Sequence, residues 1–230
     1  MASINIKESQ LYELCCNCLK ALVFLGIKEK SSGEFEANDL LKKLTNILHL
    51  SFPNQTTVVG AHQNNDAIAF SLFSAWFAFK LTGQLGTGLK MWTEYKKASP
   101  LSSNYATQIE SYAINANIIL ENKEFLVDYY IHPQEHFHCP ILTMESESQE
   151  DANFFDLSKL LLVNSPRRVY IGNVKKGKLD DAVSKIKVIL DQALASGAIH
   201  YSDQIVLVLY KNEAQTIKLR IYDYDQYRHL

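Results

Sequence analysis

The sequence predicts an α/β protein, with an N-terminal helical section followed by a core running helix, three strands, helix, strand. Three observations carry that prediction. Apolar residues recur at helical spacing through most of the first 80 positions. Short β-like runs are then clustered between Asn117 and Glu147. Finally, an apolar helix pattern over 151–163 leads directly into a strand-like run, Arg167 to Val174. The chain has 230 residues, 47% hydrophobic and 11% aromatic, enough for a sizeable packed interior.

Glu8 to Gly26 places Leu11, Leu14, Cys15, Cys18, Leu22 and Leu25 three and four apart, an amphipathic helix that Gly26 ends. Ser31-Ser32-Gly33 predicts a loop, and Asn38 or Asp39 caps a second helix running to Leu50. Asp66 to Leu81 is a third helix, with Ile68, Phe70, Leu72, Phe73, Trp76 and Phe77 apolar on more than one side. Gly83, Gly86 and Gly88 follow it without a preceding strand or a following Lys-Ser or Lys-Thr, which excludes a nucleotide-cradling loop. Leu89 to Lys97 is expected to be a short helix, and Asn104 to Asn115 another, carrying Glu110.

Asn117 to Glu121 and Glu124 to Ile131 predict two strands turned at Asn122-Lys123, and Ile141 to Glu147 completes a three-strand meander. After the helix over 151–163 and the strand from Arg167 to Val174, Lys175 to Lys178 is a basic turn. Leu179 to Ser196 is a long amphipathic helix closed by Gly197. Gln204 to Lys211 and Thr216 to Tyr224 predict a final hairpin turned at Asn212-Glu213. The domain expectation is a helical section over 1–100 and an α/β core over 101–230, with one compact unit as the alternative.

The chemistry is concentrated in the meander. In a strand, Ile141, Thr143, Glu145 and Glu147 share one face, so two carboxylates leave the same surface. Asp128 lies on the preceding strand, where pairing brings it alongside. Hard oxygen ligands at strand ends suit Mg²⁺ or Mn²⁺, and like charges on one face are unfavourable without a cation. The ordinary alternative is a solvent-facing edge strand with Asp128 in another register.

This arrangement, from Asn104 to Val174, resembles the core of the PD-(D/E)XK nuclease superfamily, the restriction-endonuclease-like fold. The resemblance implies metal-dependent phosphodiester hydrolysis, with Asp128 and Glu145 as the metal-binding pair and Glu110 on the first helix as a further contributor. Glu147 stands where the family usually has a lysine that positions or deprotonates the attacking water. Some members have glutamate there, and others recruit a lysine from the following helix, for which Lys159 is the candidate. No proline precedes Asp128, a further departure from the family pattern.

Arg167, Arg168, Lys175, Lys176 and Lys178 are candidates for a local phosphate-binding patch, or else a solvated turn. The net charge of −2 excludes whole-chain attraction to nucleic acid. The rival reading is an inactive protein with this fold, an immunity or regulatory module docked on a protein partner. A homodimer is compatible with reaching both strands of a duplex.

His132, His136, His138 and Cys139 form a second cluster of zinc-ligand types, with a plain polar loop or a histidine at the site rim as the other readings. Cys15, Cys16 and Cys18 crowd one helical turn and read as reduced thiols rather than a disulfide framework or zinc site. No Gly-x-Ser-x-Gly elbow supports serine nucleophile chemistry. The C-terminal tyrosines Tyr222, Tyr224 and Tyr227 are equally explained by base stacking and by an exposed strand face. No apolar run approaches the roughly 20 residues of a membrane span, and no signal segment opens the chain. Cytoplasmic residence without membrane association is therefore the expectation.

Overall fold

A computed structural model describes residues 10–47, 63–86, 89–93, 119–121, 127–136, 138–147, 154–174, 178–213 and 216–224. In chain order the elements are α1 (Gln10–Phe24), β1 (Glu29–Ser31), β2 (Glu34–Glu36), α2 (Ala37–Ile47), α3 (Gln63–Leu85), β3 (Leu89–Thr93), β4 (Ile119–Glu121) and β5 (Tyr129–Pro133). They continue with β6 (Leu142–Glu147), α4 (Phe155–Leu162), β7 (Arg167–Asn173), α5 (Leu179–Ala195), β8 (Gln204–Glu213) and β9 (Thr216–Asp223). The nine strands form one sheet in the order β1-β2-β9-β8-β7-β6-β5-β3-β4.

The centre of the sheet is parallel: β6 pairs with β7 and β7 with β8, while β5 and β9 run antiparallel beside them. Parallel neighbours need crossovers, and α4 and α5 supply them. Both pack on one face of the sheet, where Leu157, Leu160, Ile186 and Leu190 meet Tyr170, Ile205, Leu207 and Leu209. The opposite face carries Met144, Val169, Ile171, Val206, Val208 and Tyr210 and is covered by α1, α2 and α3. Burial on both sides explains why β8 reads Ile-Val-Leu-Val-Leu-Tyr without polar alternation. Helix α3 is apolar nearly all round because it packs against both other N-terminal helices as well as the sheet. Phe70 and Phe73 close on the Tyr210 ring at centroid distances of 5.2 and 5.7 Å.

Several expectations are corrected. Residues 89–93 form a strand, not a helix. Leu89 and Met91 face the three-helix layer while Trp92 faces α4, an alternation that tertiary pairing on both edges selects over the helical reading. The meander is therefore β3-β5-β6. The expected hairpin at Asn122-Lys123 is absent as a pairing, because β4 pairs in parallel with the far edge of β3. The final hairpin keeps its register through Glu213 and Thr216, so Asn212 and Glu213 belong to β8 rather than to the turn. The expected helix from Asn104 to Asn115 lies outside the described residues.

Ser32-Gly33 turns a small hairpin, β1-β2, that sequence periodicity did not reveal, and β2 adds to the sheet through β9. With β2 bonded to β9 and β3 to β5, the sheet takes strands from both sides of residue 100.

Gly33 sits at φ +70°, and a Cβ there would stand 2.6 Å from the Leu219 carbonyl oxygen. Gly33→Ala should destabilise the fold by about 1–3 kcal/mol through backbone strain and this contact. Urea unfolding measures it, and a loss below about 0.5 kcal/mol would contradict the account.

Candidate functional site

Strands β6, β7 and β8 all point their carboxyl ends the same way, and antiparallel β5 begins at that end. In open α/β sheets this edge is where ligands bind. Asp128 precedes β5 there, Glu145 and Glu147 lie on the last part of β6, and the first turns of α4 bring Asp156 and Lys159 over them. Glu145 points to the α4 side of the sheet, as the alternation of β6 predicts, and is only 1% exposed.

A buried carboxylate requires partners. One oxygen of Glu145, Oε1, lies 2.6 Å from Lys159 Nζ, and the other, Oε2, accepts the Asp128 backbone N–H at 2.8 Å. The Asp128 carboxylate in turn accepts the Ser146 backbone N–H at 2.9 Å and the Ser146 hydroxyl. The two acids thus each bind the other's strand, extending the β5–β6 ladder with side chains. Lys159 also reaches Asp156 Oδ1 at 2.6 Å, and Asp156 hydrogen-bonds Glu147.

The carboxyl groups Asp128, Glu145, Glu147 and Asp156 outnumber the single ammonium among them. Burial pushes Glu145 up to about 8, reinforced by the Asp128 charge and only partly opposed by Lys159 and the Asp128 N–H. Burial also raises Asp128, against the two Ser146 hydrogen bonds and the Lys159 charge. Burial works against the charge on Lys159, but its bonds to Asp156 and Glu145 outweigh that and hold it firmly cationic. Asp156 is lowered: burial acts against its charge, but the Glu147 and Lys159 hydrogen bonds prevail. Glu145 is thus the acid of the cluster that holds its proton toward neutral pH, a proton that a bound cation would displace.

Asp128, Glu145, Glu147 and Lys159 are therefore brought together, through one network. Glu110, Lys175 and Lys176 lie outside the described residues. Arg167 and Arg168 are not at this site, because they start β7 at the opposite end of the sheet. Arg168 is buried, with Nη1 2.7 Å from Asp203 Oδ2 and Nη2 donating to the Val163 carbonyl at 2.9 Å. It ties the end of α4 to the start of β8 and presents nothing to a nucleic acid. Arg167 is half-buried, lowered by that burial. Lys178, exposed at the start of α5, is on the site's side of the sheet.

The histidine loop joins β5 to β6 at the far end, so His136 and His138 do not reach the acid cluster. His136, His138 and Cys139 are exposed, whereas His132 is buried against Trp92 at a centroid distance of 5.3 Å, with Nδ1 2.7 Å from the Pro133 carbonyl. Among the described residues, no three histidine, cysteine or acidic side chains form a metal-holding group. The cysteines are free thiols, and burial raises both Cys15 and Cys18.

Sequence reasoning missed Asp156 and Ser146. The first carried a signal: Asp156 and Lys159 are three apart on a helix, a spacing at which opposite charges meet. Ser146 carried none, because strand alternation places it on the other face from Glu145.

Comparison with models of known protein families, with curated proteins and with solved structures finds no match. Among the described residues, no helix is long and apolar enough to cross a membrane.

Because the folded-state value of Glu145 lies above its ordinary 4.5, the folded protein binds the extra proton. The stability this contributes is present below about 4.5 and is lost as pH rises toward about 8. Wild type should therefore lose stability relative to Glu145→Gln across that window in metal-free buffer. Thermal melts at successive pH values test this, and a Tm difference independent of pH would refute it.

Proposed function

We propose that this protein is a metal-dependent nuclease of the PD-(D/E)XK kind, hydrolysing phosphodiester bonds at the Asp128–Glu145–Lys159 cluster. The observation that carries the reading is that a carboxylate before β5, a buried carboxylate on β6 and a lysine from the next helix meet in one network. The order α3, β3, β5, β6, α4, β7 supports the reading as a helix, meander, helix, strand succession, although α3 and β3 stand in place of the helix and first strand expected over Asn104–Glu121 and β4 lies at the edge. A helix-borne lysine in place of one on the third strand is a variation the superfamily uses.

The donor chemistry fits Mg²⁺ or Mn²⁺ as a two-carboxylate site. Mg²⁺ is commonly held by one or two carboxylates, with water and substrate phosphate completing its shell, so the lack of a third acidic ligand among the described residues does not conflict with it. Asp128 and Glu145 would hold the ion. When bound, it would polarise the phosphate and acidify a water.

Hydrolysis joins the water oxygen to phosphorus as the ester P–O bond breaks; one water proton passes to a base and the leaving oxygen takes a proton. Lys159, held charged by two carboxylates, cannot serve as that base, and its role is to orient anionic groups. Glu147, hydrogen-bonded to Asp156, would be the acceptor. Lys178 and the basic segment after β7 would meet the nucleic-acid backbone.

A non-catalytic docking module remains the rival, and one observation favours it: Phe155, next to Asp156, and Leu162, two turns further along α4, are 70% and 74% exposed.

Calorimetric titration with Mg²⁺ and Mn²⁺, followed by incubation with mixed nucleic acids, separates the two. Wild type should bind metal and cleave, and Glu145→Ala should lose both. Wild type without metal binding rejects the nuclease reading and leaves the docking module. Lys159→Met removes a competing cation and should tighten Mg²⁺ binding by roughly tenfold while cleavage falls; unchanged metal affinity would show that Lys159 does not compete for Glu145.

A further inference from the structure

Tyr170 lies on β7 directly beside Glu145, on the face covered by α4, and is 1% exposed. The direction of its ring is recorded by a glycine. A Cβ on Gly172, two residues further along the same face, would stand 2.6 Å from Tyr170 Cε1, 3.3 Å from Cζ and 3.4 Å from the hydroxyl oxygen. The ring therefore lies along β7 over Gly172 and points toward the carboxyl end of the sheet. Gly172 is the register partner of Glu147. Since Gly172 does not adopt a left-handed backbone conformation, its lack of a side chain serves to admit the ring rather than to permit a turn.

The phenol thus arrives among acids. Burial holds it protonated, and the charges of Glu147, Asp156 and Glu145 each oppose its ionisation further. Carboxylates only accept hydrogen bonds when ionised, and the Lys159 ammonium is already engaged by Glu145 and Asp156. A phosphodiester is itself an anion, and a cluster of this sign needs donors to receive it. A neutral O–H is a donor that adds no charge to compete with a metal.

Resting on the nuclease reading, we propose that Tyr170 is a further catalytic residue: its hydroxyl, aimed by the space that Gly172 leaves, donates to a non-bridging oxygen of the phosphodiester that a divalent ion at Asp128 and Glu145 would hold. The donor keeps its proton throughout, so no bond is made or broken at the tyrosine. Its contribution is to place the phosphate and offset the charge on its oxygens as water adds.

Tyr170→Phe deletes one oxygen and keeps the ring; Gly172→Ala keeps the oxygen and displaces the ring. Both are assayed in the full chain for Mg²⁺ affinity by calorimetry, Tm, and kcat and KM on a DNA or RNA oligonucleotide that wild type cleaves. The expected result is a loss of roughly ten- to a hundredfold in kcat/KM for each, the loss of one hydrogen bond to an anion, with Mg²⁺ affinity and Tm near those of wild type for Tyr170→Phe. Cleavage by Tyr170→Phe within twofold of wild type overturns the assignment. So does a parallel fall in Mg²⁺ affinity, which would make the residue structural. Wild type that neither binds Mg²⁺ nor cleaves rejects the nuclease reading itself and the tyrosine's role with it, an outcome distinct from failure of the variants alone.

Discussion

The contact between Glu145 and Lys159 joins the two layers on which the rest of the site depends. Glu145 is fully buried on a central strand, where an ionised carboxylate without partners would be strongly destabilising. Its two oxygens are satisfied from different directions, by the backbone before β5 and by a side chain on α4. Meeting that requirement fixes how β5 enters the sheet and where the first turns of α4 sit above β6. Asp156 and Glu147 are drawn in as a consequence, because Lys159 has donors to spare and Asp156 lies one helical turn before it.

The same constraint gathers Glu145, Asp156 and Glu147 around one lysine, with Asp128 alongside. Burial raises both Glu145 and Asp128, and for Glu145 the Asp128 charge adds to it. A purely structural polar network in a core ordinarily ends with its charges matched, since a partly satisfied one is worse than an apolar filling. Here the acids lie at the carboxyl ends of the parallel strands, the edge at which open α/β sheets bind ligands. Away from the acids, apolar layers close both faces of β7 and β8. Arg168 and Asp203 at the opposite end form a charge-matched buried pair, with Arg168 Nη1 on Asp203 Oδ2, Nη2 donating to the Val163 carbonyl and Asp203 Oδ2 accepting the His200 N–H.

Sequence patterns made the central elements legible because their burial is strongly periodic. The helix α1, the unit β6-α4-β7-α5-β8 and the pairing of β8 with β9 were all readable from apolar spacing and turn residues. The failures have a common form. Leu-Lys-Met-Trp-Thr satisfies a helical and an alternating pattern about equally over so short a span, and only pairing with β5 on one edge and β4 on the other decides for a strand. The exposed residues of β1 contain no apolar alternation at all, so that strand exists through its hydrogen bonds alone. The basic pair Arg167-Arg168 looked like a surface patch, yet Asp203, 35 positions away from Arg168, turns one of the two into a buried tie.

The sequence by itself determined which faces of the strands and helices are apolar, and hence the α/β class, the shared face of Glu145 and Glu147, and the candidacy of Asp128 and Lys159. Those properties depend on periods of 2 and 3.6 residues and are local to each segment. Only the tertiary structure decided that β3 rather than β4 flanks β5, that Asp156 and Tyr170 join the acids, and that the histidine loop and Arg168 lie at the other end. These outcomes depend on strand order and direction across the sheet. Contacts between residues far apart in the chain set both, and no local period encodes them.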